Sequence, residues 1–237
     1  MSLDLQRRPS QCPHCRATLS ETVQYGISSG QPKLIDPHVV SVDAITPRAH
    51  GGRYTRENIA FVCWSCSVAK GHGSVAALRS FLLALKERAV IGSGRFLAVD
   101  PPRRTALTEM DRQYIQEWAD RQHQRVLNTV ANNPRKAGDL SVGDIVELGC
   151  ARYIGQGRYL DPSGLSLPLW AGSLDRIDPG GGYALSNVRA LHTVFNRIRM
   201  DAPDDAPIKQ VIAHLKAADL DDADAPVEML GGEQFRR

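Results

Sequence analysis

The chain has 237 residues, of which 42% are hydrophobic, and this length and composition predict one or two globular domains. No stretch approaches the roughly eighteen consecutive apolar residues that a membrane-spanning helix needs, so we expect no membrane partner. A formal net charge of +3 is too small to require a polyanionic partner and too positive to exclude one.

The first eleven residues predict a flexible tail. They are polar, with Arg7 and Arg8 in place of the apolar stretch of an export signal. We therefore expect a cytoplasmic location, in which cysteines stay reduced.

Four of the five cysteines form two Cys-x-x-Cys pairs, namely Cys12 with Cys15 and Cys63 with Cys66. Four thiolates from two such pairs form a closed tetrahedral site for structural Zn²⁺. Disulfides are the alternative, which the absence of an export signal disfavours. Cys150 has no partner in this pattern and is expected to act as a small buried apolar residue.

The segment between the cysteine pairs carries a second pattern. It runs Asp43-Ala44-Ile45-Thr46-Pro47, then Gly51-Gly52, then Asn58, then the second cysteine pair and Lys70. In this order and over about 60 residues, the segment resembles the HNH endonuclease family (ββα-metal, or His-Me finger). The resemblance implies a β-hairpin and a helix around one divalent ion, and hydrolysis of phosphodiester bonds in nucleic acid, with double-stranded DNA as the expected partner. It also implies a bacterial or phage-encoded nuclease, with restriction or anti-phage defence as the expected role.

The resemblance assigns roles to individual positions. Asp43 would bind the catalytic metal, Asn58 would hold the hairpin loop, and position 67 would supply a ligand from the helix. Mg²⁺ or Mn²⁺ suits such oxygen ligands, while the zinc serves only as a structural brace. The predicted phosphate contacts are the basic residues around this segment: Arg48, His50, Arg53, Arg56 and Lys70.

Two positions depart from the family pattern. The general-base position holds Ala44 instead of His, and position 67 holds Ser67 instead of His or Asn. A methyl group cannot accept a proton, so this sequence should not cut by the family mechanism. Either the chain is a natural pseudo-nuclease, or a histidine was deliberately replaced. His38 and His50 are the nearest imidazoles that could substitute as the base.

Helical patterns follow. Ser74 can cap a helix with Leu78, Leu82 and Leu85 at helical spacing, and residues 92–104 resemble a linker. Thr108 and Asp111 then predict the start of a long helix that ends near Asn132. Its apolar positions are Tyr114, Ile115, Trp118, Leu127 and Val130. Arg112, Arg121, His123 and Arg125 lie on the other face, which is either solvated or a nucleic-acid surface.

A second copy of the pattern follows these helices. Residues 139–183 predict short strands and turns, and the spacing of Val188, Leu191, Phe195 and Ile198 predicts a helix. Within this region, the segment 173–178, a glycine turn, Asn187 and Asn196 repeat the order of acid, turn and asparagine. The segment resembles zinc-free HNH variants that are frequent in phage proteins.

In this second copy Asp175 and Asn196 could hold a metal, and Asn187 could lock the loop. Arg176 stands where a base would be needed, and a guanidinium stays protonated at cellular pH, although it suits a phosphate. Three roles are open: a DNA-gripping relic, a nuclease that uses Asp178 or His192 as its base, and a structural domain.

The predicted fold is α+β, with two small ββα-metal (HNH-like) modules joined by a helical segment. The predicted boundaries are a tail over 1–11, a zinc-stapled module over 12–72, a helical connector over 73–138, a second module with the C-terminal helix over 139–218, and an acidic tail over 219–237. A non-catalytic nucleic-acid-binding protein or adaptor is the alternative function. A homodimer or a partner protein remains open.

Overall fold

A computed structural model describes residues 9–20, 36–102 and 106–217, except for the side chain of Arg56. Both predicted tails therefore lie largely or wholly outside the described residues. Helices alternate with small antiparallel sheets, which confirms the α+β class. The chain divides into two compact units, one formed by Met1–Arg88 with Pro207–Arg237 and the other by Ala89–Ala206. Among the described residues, none of the helices combines the length with the hydropathy that a membrane-spanning segment needs.

The first unit is built on a hairpin and a short helix. Strand β1 (Val40–Ala44) pairs antiparallel with β2 (Ile59–Cys63), and Asp43 lies opposite Ala60. Helix α1 (Trp64–Lys70) begins directly after β2, because the Cys63 sulfur accepts a hydrogen bond from the backbone N–H of Cys66 and so caps the helix. Strand β2 thus runs directly into α1, whereas residues 45–58 form the loop that connects the two strands.

Two longer helices complete this unit. Helix α2 (Val75–Arg88) starts where the sequence predicts, since the Ser74 hydroxyl accepts from the N–H of Ala77, and its predicted apolar residues are buried. Helix α6 (Ala206–Lys216) belongs to the same unit, whereas the sequence placed it with the second module. Lys216 of α6 donates to the carbonyl oxygens of Leu85 and Lys86, at the end of α2.

The second unit begins with helix α3 (Glu109–Asn132). Its start and end agree with the prediction, including the reciprocal capping hydrogen bonds between Thr108 and Asp111. The apolar seam differs in part, because Tyr114 and Leu127 are about half exposed while Gln122 is buried. The buried face comprises Ile115, Trp118, Ala119, Gln122 and Val126.

Helix α4 (Val142–Arg152) was missed, because residues 139–183 were predicted to be strands and turns. Ser141 and Asp144 form a capping box of the same kind as the one that predicted the start of α3, so the sequence did contain a signal for this helix. Gly149 lets α4 approach α3, since a side chain at this position would come within 3.0 Å of Ile115 and 3.2 Å of Trp118.

Short strands follow α4. Strands β3 (Tyr153–Gly155), β4 (Arg158–Leu160) and β5 (Ser166–Pro168) form one antiparallel sheet. Strands β6 (Gly172–Arg176) and β7 (Val188–His192) form a second hairpin, which is followed by α5 (Thr193–Arg199). The helix predicted from Val188 onward is therefore wrong up to His192, where pairing with β6 makes this segment a strand.

Candidate functional site

The four predicted cysteines come together. The sulfur atoms of Cys12, Cys15, Cys63 and Cys66 all lie within 4.8 Å of one another, and all four residues are buried. A tetrahedral zinc with Zn–S bonds of about 2.3 Å places its sulfurs about 3.8 Å apart. The Cys15 and Cys63 sulfurs are separated by 3.6 Å, so this cluster fits zinc.

The chain around each pair explains the convergence. Cys12 and Cys15 lie in a tight turn, closed by hydrogen bonds from the N–H of Cys12 to Ala17 and from the N–H of Arg16 to Cys12, with Arg16 at a φ of 60°. Cys63 ends β2 and Cys66 lies in the first turn of α1. Zinc at this point would join the N-terminal turn, the hairpin and the helix.

The thiols of this cluster have strongly displaced pKa values. Hydrogen bonds from Cys12, Cys63 and Cys66 lower the pKa of the Cys15 thiol. The pKa of the Cys66 thiol is raised, chiefly by its contact with Cys12 and then with Cys15. Opposite shifts of this kind arise because four adjacent thiols cannot all ionise without a cation, which zinc supplies.

His214 of α6 also reaches the cluster, and the sequence analysis missed it. Its Nε2 lies 3.6 Å from the Cys15 sulfur and 3.5 Å from the Cys63 sulfur. Its ring also packs against His38, with the ring centres 4.3 Å apart. The imidazole N–H can therefore donate to thiolate sulfur and hold α6 against the zinc turn. No spacing rule relates position 214 to the cysteine pairs.

Asp43 faces α1, where it forms a buried ion pair with Lys70. The Lys70 Nζ lies 3.0 Å from the Asp43 carboxylate and donates to the carbonyl oxygen of Ala44 at 2.7 Å. Lys70 is 1% exposed, so it is an internal counter-ion rather than the phosphate contact that the sequence predicted.

Ser67 lies close to the same face of the hairpin. Its hydroxyl accepts from Ser41 at 3.3 Å, and Ser41 and Asp43 share one face of β1 because they are two residues apart. Ala44 occupies the next position, where its methyl group is buried. Among the described residues, only the four cysteines form a metal-sized group of three or more His, Cys, Asp or Glu side chains. One carboxylate and two hydroxyls are a sparse ligand set for a hard cation.

Asn58 ties the hairpin loop together. Its side chain accepts from the N–H of Thr46 and donates to the carbonyl oxygens of Thr46 and Arg53. Gly52 has to be glycine, because a Cβ there would lie 1.8 Å from the Thr46 oxygen. The loop exposes Arg48, His50 and Arg53, while the side chain of Arg56 lies outside the described residues.

His14 is a further imidazole that the sequence analysis did not single out. It lies inside the first cysteine pair and interacts electrostatically with Asp43 and Lys70. Burial lowers its pKa, against a smaller upward effect of Asp43. The turn that holds the zinc thus also brings a largely neutral imidazole toward the Asp43 carboxylate.

The second unit repeats this arrangement position by position. Asp175 lies opposite Arg189 in the β6–β7 hairpin, just as Asp43 lies opposite Ala60. Asn187 accepts from the N–H of Asp178 and donates to the carbonyl oxygens of Asp178 and Gly182, which is the pattern of Asn58. The predicted internal repeat therefore extends from sequence order to backbone register and loop hydrogen bonds.

The ionic partners in this copy differ. Asp175 is 2% exposed and accepts from Arg189 at 2.9 Å and from Arg199 at 3.0 Å, so both carboxylate oxygens are already engaged. Burial raises the pKa of Asp175, and the two arginines oppose that shift. Asp205 pairs with Arg189 as well, at 2.5 Å. Two arginines and two aspartates thus neutralise one another where the first unit has only Lys70 and Asp43.

The other predicted residues of this copy serve the local structure. Arg176 donates to the carbonyl oxygens of Pro179 and Gly181, and Asn196 donates to the Ser173 hydroxyl and the Leu174 carbonyl. Asp178 is exposed and accepts from the N–H of Gly180. These hydrogen bonds stabilise the local loop structure, and the side chains do not converge on a common point as metal ligands would.

His192 cannot act as a base toward substrate from its place in the fold. It is 1% exposed, and burial, followed by the charge of Arg197, lowers its pKa to about 3. A cavity of about 380 Å³ opens beside the hairpin, and its lining includes Lys136, Asp175, Arg176, Asn196 and Arg197.

Comparison with known families agrees with the geometry of the first unit. Residues 33–73, about a sixth of the chain, match the HNH endonuclease family model. The match spans the β1–β2 hairpin and α1, including Asp43, Asn58 and the second cysteine pair. No curated protein and no solved structure matches the chain.

Proposed function

We propose that this chain is an HNH-type protein that binds double-stranded DNA, and that residues 40–70 form a phosphodiester-hydrolysing site in which Ala44 replaces the general base and Ser67 replaces the usual ligand of the helix. The HNH match at residues 33–73 makes a nuclease-type function the general expectation. The observation that carries the proposal is the position of Asp43. This acid sits at the penultimate residue of β1, facing α1, on a hairpin whose loop Asn58 holds.

The residues offer a partial fit to a divalent cation. One oxygen of Asp43 is paired with Lys70, and the hydroxyls of Ser41 and Ser67 lie close to that face. Mg²⁺ or Mn²⁺ bound there would stabilise negative charge on a scissile phosphate. Asp43 and Ser67 would hold the ion, with water and phosphate oxygens completing its coordination.

Ala44 accounts for the expected lack of cutting. A general base contributes about 10²–10⁴-fold to rate, and a methyl group contributes none of it. Replacing Ala44 by His would restore an imidazole at the end of β1. We expect Ala44→His to nick supercoiled plasmid in Mg²⁺ or Mn²⁺, while the unsubstituted chain leaves the plasmid intact.

Two matched variants make that experiment specific. Ala44→Gln adds comparable bulk without a base, and Asp43→Asn combined with Ala44→His keeps the base but removes the ligand. Neither should nick, and both should retain zinc in a chelator assay. Equal nicking by all three variants would indicate a contaminating nuclease and would leave this site without support.

A non-catalytic DNA-binding protein is the second candidate, and one observation favours it. Asp43 already has a buried ammonium partner at 3.0 Å, so a metal would have to compete with Lys70. In that case Ala44→His would not cut, but DNA binding would persist and weaken steeply with salt. For the second unit, the filled ion pairs of Asp175 support a binding or structural role over catalysis.

A further inference from the structure

We propose that the second unit carries its own surface for the sugar-phosphate backbone of duplex DNA, formed by Arg121 and Arg125 of α3 with Arg197 of α5. This inference rests on the proposed function only in taking DNA as the partner. The surface lies outside the segment that matches the HNH family. Arg121 and Arg125 belong to the α3 face for which the sequence left solvation and nucleic-acid contact open, and Arg197 was not among the predicted contacts.

The fold brings the two helices to one place. Trp118 and Gln122 of α3 both donate to the carbonyl oxygen of Gly172, at 3.0 and 3.3 Å, which fixes α3 against the start of β6. Thr193, the first residue of α5, donates to the neighbouring carbonyl of Ala171 at 2.9 Å. Because the two helices are anchored at consecutive residues, the first residue of α5 lies near the part of α3 that carries Trp118 and Gln122.

This anchoring places the three guanidinium groups on a common surface. Arg121 and Arg125 flank the buried Gln122 on α3 and are one turn apart, about 6 Å along the helix axis. Arg197 lies one turn into α5, and all three residues are exposed. The charges of Arg121 and Arg197 both act on Arg125, lowering its pKa together with a larger effect of burial.

Within the described residues, no carboxylate pairs with any of the three arginines. The acids of α3 have other partners, since Glu117 accepts from Gln113 and Asp120 accepts from Gln116. Three neighbouring cations with no carboxylate in ion-pair contact repel one another, and a polyanion relieves that repulsion.

The cavity beside α5 extends the same positive surface. Arg197 and Lys136 both line it, and its two lining carboxylates are already paired, Asp175 with two arginines and Asp201 with Arg176 at 3.6 Å. A duplex presents about two phosphates per strand over the 6 Å between Arg121 and Arg125. A linear row of phosphates therefore suits this surface better than a single small anion.

The test measures duplex DNA binding by the full chain, without divalent cation, as a function of salt. Binding falls as salt rises, and each lost phosphate contact should reduce the steepness of log K against log salt by about 0.9. Changing Arg121, Arg125 and Arg197 together to Gln should reduce this steepness by about 2.7 and weaken binding by about 500-fold near 0.1 M salt. Arg112→Gln should leave both values unchanged, because Arg112 lies nine residues before Arg121 and so on the opposite side of α3, although the sequence pattern had grouped the two on one face.

Changing the same three arginines to Lys keeps the positive charges and should retain the salt dependence. This control distinguishes the loss of charge from misfolding. A Gln triple variant with the parental slope, or an Arg112→Gln variant with an equal loss, would overturn the proposal. The result is independent of the nicking assay. Failure of Ala44→His to cut, with the slope reduced as expected, would count against the proposed hydrolysis and not against this surface.

Discussion

Replacing Lys70 by Met tests the buried ion pair on which the geometry of the first unit depends. Met keeps an unbranched side chain but removes the charge and the donors. The Asp43 carboxylate, 12% exposed, would lose its partner at 3.0 Å, and the Ala44 carbonyl would lose its donor at 2.7 Å. Removing one partner of a buried pair costs about 3–5 kcal/mol, because the other charge stays uncompensated.

The double variant Asp43→Asn with Lys70→Met separates the charge from the hydrogen bond. It removes the stranded carboxylate charge, so the remaining loss is that of the unpaired Ala44 carbonyl, about 1–3 kcal/mol. We therefore expect the double variant to be more stable than the single Lys70→Met variant, although it carries one more substitution.

Urea unfolding with zinc present provides the assay. At a slope of about 2 kcal/mol per M, the Lys70→Met midpoint should fall by about 1.5–2.5 M. Release of zinc to a coloured chelator reports the first unit separately from the second. A Lys70→Met variant that unfolds at the parental urea concentration would refute the buried pair. A double variant no more stable than the single one would refute charge as the cause.

The zinc cluster, His214 and His192 give three further predictions. Removing zinc with a strong chelator should unfold the first unit while helicity of the second persists, as measured by circular dichroism against urea; a single transition unchanged by chelation would contradict this. His214→Ala should speed zinc release, since a hydrogen bond to a charged group contributes about 1.5–3 kcal/mol, whereas His123→Ala, in the other unit, should not. The protein should lose stability as the pH falls from 6.5 to 3, because the imidazole of His192 is protonated in the unfolded chain but stays neutral when buried. His192→Gln should remove this loss. That loss amounts to about 4–5 kcal/mol, and parallel pH profiles for both proteins would argue against it.

The zinc site was predictable because its ligands come in two short-range pairs whose chemistry requires four sulfurs. The contact with His214 was not, since it joins positions 151 and 199 residues apart. Nothing in a local pattern distinguishes a histidine that faces thiolates from one that faces solvent. Only the packing of α6 on the first unit makes that distinction.

Secondary structure was predicted well where caps and apolar spacing agreed, as in α2 and α3. The two errors have different causes. Helix α4 was missed although Ser141 and Asp144 cap it, because residues 139–183 were predicted as one run of short strands and turns. Residues 188–192 were assigned to a helix from spacing alone, yet they pair with β6 along their whole length. Tertiary pairing outweighed an ambiguous periodicity.

The sequence motif predicted some features of the candidate site and not others. Sequence order located the first hairpin and both loop asparagines, because these need particular side chains at particular backbone positions. The motif could not indicate which charges surround each acid. Lys70 pairs with Asp43, whereas Arg189 and Arg199 both pair with Asp175. The two acids occupy the same motif position, yet Asp175 has fewer carboxylate oxygens free to bind a metal than Asp43 has.

Our proposal for residues 40–70 is that an imidazole at position 44 restores hydrolysis, with Asp43 and Ser67 as the metal ligands. The most direct measurement is the rate of supercoiled plasmid nicking by Ala44→His with Mn²⁺, relative to the parental chain and to Ala44→Gln. We expect a rise on the order of 10²-fold or more for His alone, abolished when Asp43 is also changed to Asn. A folded, zinc-loaded Ala44→His protein that binds DNA and leaves it uncut would contradict the claim.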